Sequence, residues 1–115
     1  MQPESAKLLW DARGSAQWIQ ERVAGITFQS YLGDQMLRLA VERQFIIVGE
    51  ALGQFTRSNP AAAKSITEVE QVIAFRNILV HGYGEVDDHL VWTMAMTELD
   101  ALIQALDRLL HPESA

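Results

Sequence analysis

Hydrophobic residues recur every three or four positions along most of the chain, which is the spacing of amphipathic helices and not the alternation of strands. The first such segment predicts a helix from Glu4 to about Ala24, and Gly25 suits the end of that helix. Its apolar stripe is formed by Leu9, Ala12, Ala16, Ile19 and Val23.

The second long helix is predicted to start at a Ser30 cap and to continue to about Arg57, and it has two apolar faces. One stripe is formed by Leu37, Val41, Phe45, Val48, Leu52 and Phe55. A second patch on roughly the opposite side is formed by Met36, Leu39, Ile46 and Ile47, with Arg43 and Glu50 inside it. A bundle of only four helices cannot enclose one of them on every side. The second patch therefore predicts contact with a partner.

A third helix is predicted beyond the break at Asn59-Pro60 and a short alanine-rich turn. Thr67 and Glu70 have the spacing of a capping box, in which the Glu70 side chain would reach back to the Thr67 amide. The helix should end at Gly82 to Gly84.

The last helix is expected to have Asp87 or Asp88 as its cap and to end before Pro112. Its stripe is formed by Trp92, Ala95, Leu99, Leu102, Leu106 and Leu109, widened by Met96, Ile103 and Leu110. Residues 1–115 are therefore predicted to form one all-α domain, an up-and-down four-helix bundle with room for a short fifth helix.

Composition and charge narrow the function classes. The 115 residues are 49% hydrophobic and 21% charged, an ordinary globular balance. The absence of cysteine, of a signal-like N-terminus and of an apolar run near about 18 residues predicts a cytoplasmic protein without membrane contact. The formal net charge of −6 argues against generic nucleic-acid binding, because phosphate neutralisation dominates non-specific affinity. An RNA-directed role would need a local basic site.

Arg76, Asn77 and His81 provide such a candidate site at the end of the third helix. Asn77 and His81 are four residues apart and so share a face. A histidine can move protons near neutral pH, and an arginine can hold a phosphate and stabilise developing negative charge. These roles suffice for RNA cleavage by the ribose 2′-hydroxyl. From spacing alone, the alternative stands that Arg76 is a solvated helix residue and His81 caps the last carbonyls.

The nine residues Phe75-Arg76-Asn77-Ile78-Leu79-Val80-His81-Gly82-Tyr83 resemble the Arg-x4-His-x-Tyr signature of the HepT toxins, which belong to the HEPN superfamily. The helical segment from Ala40 to Ala51 resembles the second long helix of the same family. Val86-Asp87 and Val91-Trp92 fit the family downstream of the motif. The resemblance thus extends over most of the chain, and the motif is its most specific part.

The resemblance implies a homodimeric helical bundle whose active sites lie close to the dimer interface and cleave RNA without a metal or other cofactor. Arg76 and His81 would be the catalytic pair, and Asn77 would orient them or the phosphate. The implied partner is an MntA-type minimal nucleotidyltransferase antitoxin that transfers AMP from ATP onto Tyr83 and blocks the site. The chain would then be the endoribonuclease toxin of a toxin–antitoxin system.

Other charged and histidine residues have open interpretations. Arg43 and Glu50 would form an interface ion pair or lie near the catalytic cleft, or they would belong to a solvated helix edge. His89 and His111 do not combine with His81 in a metal-ligand spacing, so no metal site is predicted.

Two rival functions follow from the same sequence. One is a non-catalytic HEPN-type binding module that serves as the accessory subunit of a nucleotidyltransferase and forms a tight complex without toxicity. The other is a structural homodimer, which would neither cleave RNA nor bind such a partner.

Overall fold

The structure, a computed structural model, describes residues 1–82 and 86–114. All regular secondary structure in this part of the chain is helical, which confirms the all-α prediction. Its α-helices are α1 (Pro3–Val23), α2 (Phe28–Leu32), α3 (Gln35–Ser58), α4 (Pro60–Ala63), α5 (Val69–His81), α6 (Asp88–Thr97) and α7 (Leu99–Leu110), followed by a 3-10 turn at Pro112–Ser114. Among the helices described, none is long and apolar enough to cross a membrane.

The first helix closely matches its prediction. Pro3 stands in the first turn of α1, where its missing N–H costs no helical hydrogen bond. The predicted stripe is buried along its whole length. Gly25 follows the helix with a φ of +77°, a left-handed conformation that glycine adopts without the strain a Cβ would cause.

The predicted start of the second helix at Ser30 is wrong. The Thr27 side chain accepts a hydrogen bond from the Ser30 amide, so Ser30 lies inside the separate one-turn helix α2. The chain turns at Gly33, and Asp34 caps α3 by accepting from the Leu37 amide. Threonine and aspartate are both good helix caps. Thr27 and Asp34 therefore each begin a helix in this segment, and Ser30 does not.

The two faces of α3 differ in burial as predicted. The core stripe is buried from Val41 to Phe55. On the other side, Met36 is 84% exposed and Leu39 is 58% exposed. Ile46 and Ile47 are only partly buried. The second apolar patch is therefore real, and its most exposed part lies in the first turns of α3.

The connection to α5 differs from the predicted capping box. The four-residue helix α4 fits the short fifth helix that was allowed for. The α5 helix begins at Val69, and its cap position makes no side-chain hydrogen bond, so the capping box of Thr67 and Glu70 is wrong. The turn is instead held by burial of Ile66, whose carbonyl accepts from the Val69 amide.

The last predicted helix is two helices joined at Glu98. Asp87 caps α6 by accepting from the His89 and Leu90 amides, as expected. The apolar stripe continues through the junction, with Leu99, Leu102, Ile103 and Leu106 buried. Met96 is expected to widen the stripe but is 52% exposed, although its neighbours Met94 and Ala95 on α6 are buried.

Helices α1 and α3 form the contact on which the other helices assemble. Helix α3 contacts α1 and α5, while α1 also contacts α6 and α7. The short helix α2 lies against α3 and α6. With α6 and α7 counted as one interrupted segment, four long helical segments form the predicted bundle. The neighbouring pair α3 and α5 carries the candidate site.

Candidate functional site

Arg76, Asn77 and His81 occupy the last two turns of α5, as predicted. Arg76 is partly buried, while Asn77 and His81 are exposed. Arg76 Nη1 donates a hydrogen bond to Asn77 Oδ1 over 2.9 Å. Asn77 therefore holds the guanidinium group directly, and His81 follows one helical turn beyond it.

Glu50 lies beside the same guanidinium group. Arg76 Nη2 donates to Glu50 Oε1 over 3.4 Å, which joins α5 to α3. The Arg76 side chain is 28% exposed and that of Glu50 is 43% exposed, so solvent screens this ion pair. Arg43 lies two turns earlier on α3, is exposed, and makes no ion pair within residues 1–82 and 86–114. The structure brings Glu50 to the site and leaves Arg43 outside it.

Gly49 is a site residue that was not predicted from the sequence. A Cβ atom at this position would lie 2.2 Å from Arg76 Cβ and 2.7 Å from Arg76 Cγ. It would also lie 3.4 Å from the Val72 carbonyl oxygen. Glycine therefore lets the backbone of α3 touch the stem of Arg76. A second glycine one turn later, at position 53, was the available signal, because paired glycines inside a helix indicate close backbone approach.

A surface cleft of about 380 Å³ opens next to these contacts. It lies between α3 and α5 and is lined by Gly49, Glu50, Gly53, Gln54, Arg57, Ile73, Arg76 and Asn77. Such a volume falls in the range of ligand sites. Gln54 and Arg57 were also absent from the predicted site. His81 is not among the lining residues and stands past the end of the cleft on α5.

The guanidinium group of Arg76 is held by two hydrogen bonds, and the residue also lines the cleft. Its Nε atom is buried and finds no acceptor within the described part of the chain. Each Nη atom has two N–H groups, of which one is used for Asn77 or Glu50. The remaining N–H groups suit a bidentate contact with a phosphate.

Comparison with known proteins identifies the family of the chain. The family model described as "Ribonuclease HepT-like" matches residues 13–109, which is most of the chain. The chain belongs to the HepT-like ribonuclease family. The resemblance found in the motif is thereby confirmed at the level of the family.

Two relatives of the HepT-like chain bear names that begin "Putative RNase". The first, from Caldanaerobacter subterraneus subsp. tengcongensis, is 26% identical over 97 residues, which cover 84% of this chain and 86% of the relative. The second, from Methanocaldococcus jannaschii, is 26% identical over 91 residues, which cover 79% of this chain and 83% of the relative. No solved structure gives a significant match. The family and these names support a ribonuclease role.

The two other histidines of this HepT-like protein do not line the cleft. His89 packs edge-on against Phe28 with 5.3 Å between ring centroids, and His111 packs against Trp10 at 5.5 Å. Within residues 1–82 and 86–114, no group of three or more His, Asp or Glu side chains is arranged to hold a metal ion. Tyr83, the predicted acceptor of AMP, lies outside the described residues.

Proposed function

We propose that this chain is the toxin of a toxin–antitoxin system and a metal-independent endoribonuclease that uses Arg76 and His81. The observation that carries the proposal is the Arg76 guanidinium, held by Asn77 and Glu50 at the edge of a cleft with N–H groups to spare. Because the guanidinium group is already held in position, the site needs little rearrangement to bind a phosphate. His81, one turn beyond Asn77, is the candidate base.

The proposed reaction is an internal transesterification. The His81 imidazole takes the proton of a ribose 2′-hydroxyl, and the 2′-oxygen attacks the adjacent phosphorus. A 2′-O–P bond forms and the P–O5′ bond breaks, which leaves a 2′,3′-cyclic phosphate. The departing 5′-oxygen receives a proton from imidazolium or water. Arg76 stabilises the extra negative charge on the phosphorane, and Asn77 keeps the guanidinium in place. The RNA supplies its own nucleophile, so no serine or cysteine is needed.

The test is cleavage of RNA by the purified chain in the presence of EDTA. We expect His81→Ala and Arg76→Ala to lose about 100-fold or more in rate, as is usual when an acid–base or charge-stabilising group is removed. His111→Ala is the matched control, because His111 is an exposed histidine remote from the cleft. Equal cleavage by wild type and His81→Ala would contradict the proposal. No cleavage at all, together with a tight nucleotidyltransferase complex, would favour a non-catalytic binding module.

We also propose that a minimal nucleotidyltransferase antitoxin silences the toxin by transferring AMP onto Tyr83. Tyr83 is two residues past His81 in sequence, so added phosphates would compete with RNA for Arg76. The chain has two tyrosines, and the other, Tyr31, is buried. Intact mass after incubation with the antitoxin and ATP should rise by whole AMP units. The increase should vanish in Tyr83→Phe, and its persistence there would refute the acceptor.

We propose in addition that the toxin is a homodimer. The exposed apolar start of α3, with Met36 and Leu39 outside the core, supports a twofold contact. Leu39→Glu should give a monomer by light scattering after gel filtration. Met96→Glu, a change at an exposed apolar residue of α6, is the control and should leave the mass unchanged. A Leu39→Glu protein with the wild-type mass would exclude this face.

A further inference from the structure

The cleft beside Arg76 extends along α3 to a second arginine. Arg57 lies on the same helix, and its Nη1 atom is 3.6 Å from the position that a Cβ on Gly53 would occupy. Its side chain therefore runs back toward the start of α3, as long helical side chains do, and over the glycine. Arg57 and Arg76 line the same cleft from two different helices.

The floor between the two arginines is made of backbone. Gly49 and Gly53 are one turn apart on α3, and both line the cleft. A Cβ at Gly49 would collide with the stem of Arg76, and a Cβ at Gly53 would lie under the Arg57 guanidinium group. At Gly53 this space is not needed for packing, because the nearest atom that an added Cβ would meet belongs to the Arg57 side chain itself. The cleft floor at Gly53 is therefore open for a reason other than helix packing.

The charge of the cleft is opposite to that of the protein. The chain carries a formal net charge of −6. The cleft has two arginines and one carboxylate, that of Glu50, which is already bonded to Arg76. Arg57 makes no ion pair within the described residues, so its charge is available to a ligand. The remaining polar side chains, Gln54 and Asn77, are uncharged. A locally positive cleft on an acidic surface favours an anion with more than one charge.

We infer that Arg57 binds a second phosphate of the RNA, next to the phosphate held by Arg76, so that the cleft holds a stretch of single-stranded backbone. The inference rests on the proposed ribonuclease function and adds a binding residue to it. Arg57 contacts substrate away from the bond that breaks, so it contributes to binding and not to bond cleavage. The cleft that both arginines line has a volume of about 380 Å³, which is enough for a sugar and a phosphate.

The experiment compares two short RNA substrates that contain the same nucleobase throughout and differ only in length. A dinucleoside monophosphate has only the scissile phosphate, and the trinucleotide has one phosphate more. We divide the KM of the trinucleotide by the KM of the dinucleotide for each protein. This ratio should be about fivefold higher in Arg57→Gln than in wild type, because the variant loses one solvent-exposed charge contact. The trinucleotide kcat should change less than its KM. Arg108→Gln, an exposed arginine of α7, removes the same charge far from the cleft and should match wild type.

A second measurement separates this inference from the proposed reaction. In the His81→Ala background, binding of a longer single-stranded RNA is followed against salt concentration. Arg57→Gln should reduce the slope of log affinity against log salt by about 0.7, the value for one phosphate contact on a single strand. This slope can be measured even if wild type cleaves nothing, in which case the reaction is refuted and the binding residue is judged by the slope. An unchanged slope, or equal KM increases on both substrates, overturns the inference.

Discussion

Two neighbouring contacts between α3 and α5 have opposite characters. At the first, Phe45 and Phe75 meet edge to face in the core, with ring centroids 5.1 Å apart and planes at 84°. One turn later on α3 and one residue later on α5, Gly49 touches the stem of Arg76 with no side chain of its own. The same pair of helices thus passes from a large apolar contact to a backbone contact under a charged group.

The difference shows how the bundle supports the site. The aromatic pair buries a large apolar area between the two helices. The glycine then lets Arg76 lie down against α3, where Glu50 accepts from its Nη2 atom. The core contact provides stability and the glycine contact provides position. Changes at the first contact should therefore act on folding, and changes at the second should act on activity.

The largest expected effect is on the aromatic contact. Phe45→Ala should lower the free energy of unfolding by about 3–5 kcal/mol, because it leaves a cavity in a fully buried position. Urea denaturation followed by circular dichroism measures the change. Phe45→Leu keeps most of the buried apolar volume and should cost clearly less. If Phe45→Ala were as stable as wild type, the helices would not depend on this contact.

Gly49→Ala tests the second contact. The added Cβ would lie 2.2 Å from Arg76 Cβ, so either the arginine or α5 must move. We expect a loss of about 1–3 kcal/mol in stability and a larger fractional loss in RNA cleavage than in folded protein. Gly14→Ala is the matched control, since no atom beyond the adjacent backbone of its own helix lies within 4 Å of its Cβ position. That variant should gain about 0.5–1 kcal/mol from helix propensity alone. A stabilised and fully active Gly49→Ala would refute the positioning role.

The bundle was largely predictable because burial follows a local period. The stripes of α1 and α3 repeat every three to four residues, and the structure buries them except for Leu37, which is partly buried. Boundaries were harder where several residues could cap a helix. Thr27, Ser30 and Asp34 all have suitable side chains, and in the structure Thr27 and Asp34 are the caps while Tyr31 of α2 packs into the core.

Of the candidate site, only the residues within the α5 motif could be predicted from the sequence. Arg76, Asn77 and His81 stand at fixed spacing on one helix, so their arrangement follows from the sequence. Gly49 and Arg57 join the site through the approach of α3 to α5, and no periodicity along the chain encodes that approach. Glu50 stands out in the sequence as a charge within an apolar patch, but its partner Arg76 follows only from the packing of α3 against α5.

A smaller effect should follow from changing Glu50. Glu50→Ala removes one of the two groups that hold the Arg76 guanidinium, so we expect kcat for RNA cleavage to fall about fivefold. Stability should change by less than about 1 kcal/mol, because the pair is partly exposed. Glu50→Gln keeps an oxygen acceptor and should retain more activity than Glu50→Ala. Equal kcat values for Glu50→Ala and wild type would show that Asn77 alone suffices.

Glu42 is a second carboxylate of α3, and unlike Glu50 it does not line the cleft. Burial raises the pKa of Glu42, the Asp88 carboxylate adds to this rise, and Arg38 opposes it. Arg38 Nε lies 3.8 Å from Asp88 Oδ2, so its charge is shared between the two acids. The ionised form of Glu42 is therefore less favourable in the folded chain than in the unfolded one.

The smallest expected effect is the pH dependence that Glu42 produces. Because its folded pKa is above the unfolded value, ionised Glu42 lowers stability at neutral pH, and this loss disappears as the pH falls through the raised pKa. Glu42→Gln should raise the melting temperature by about 2–4 °C at neutral pH, equivalent to roughly 0.5 kcal/mol for a partly exposed group. The gain should vanish in acid. Glu21→Gln, an exposed change on α1, is the control. A Glu42→Gln gain of the same size at both pH values would mean that packing, and not charge, limits stability at this position.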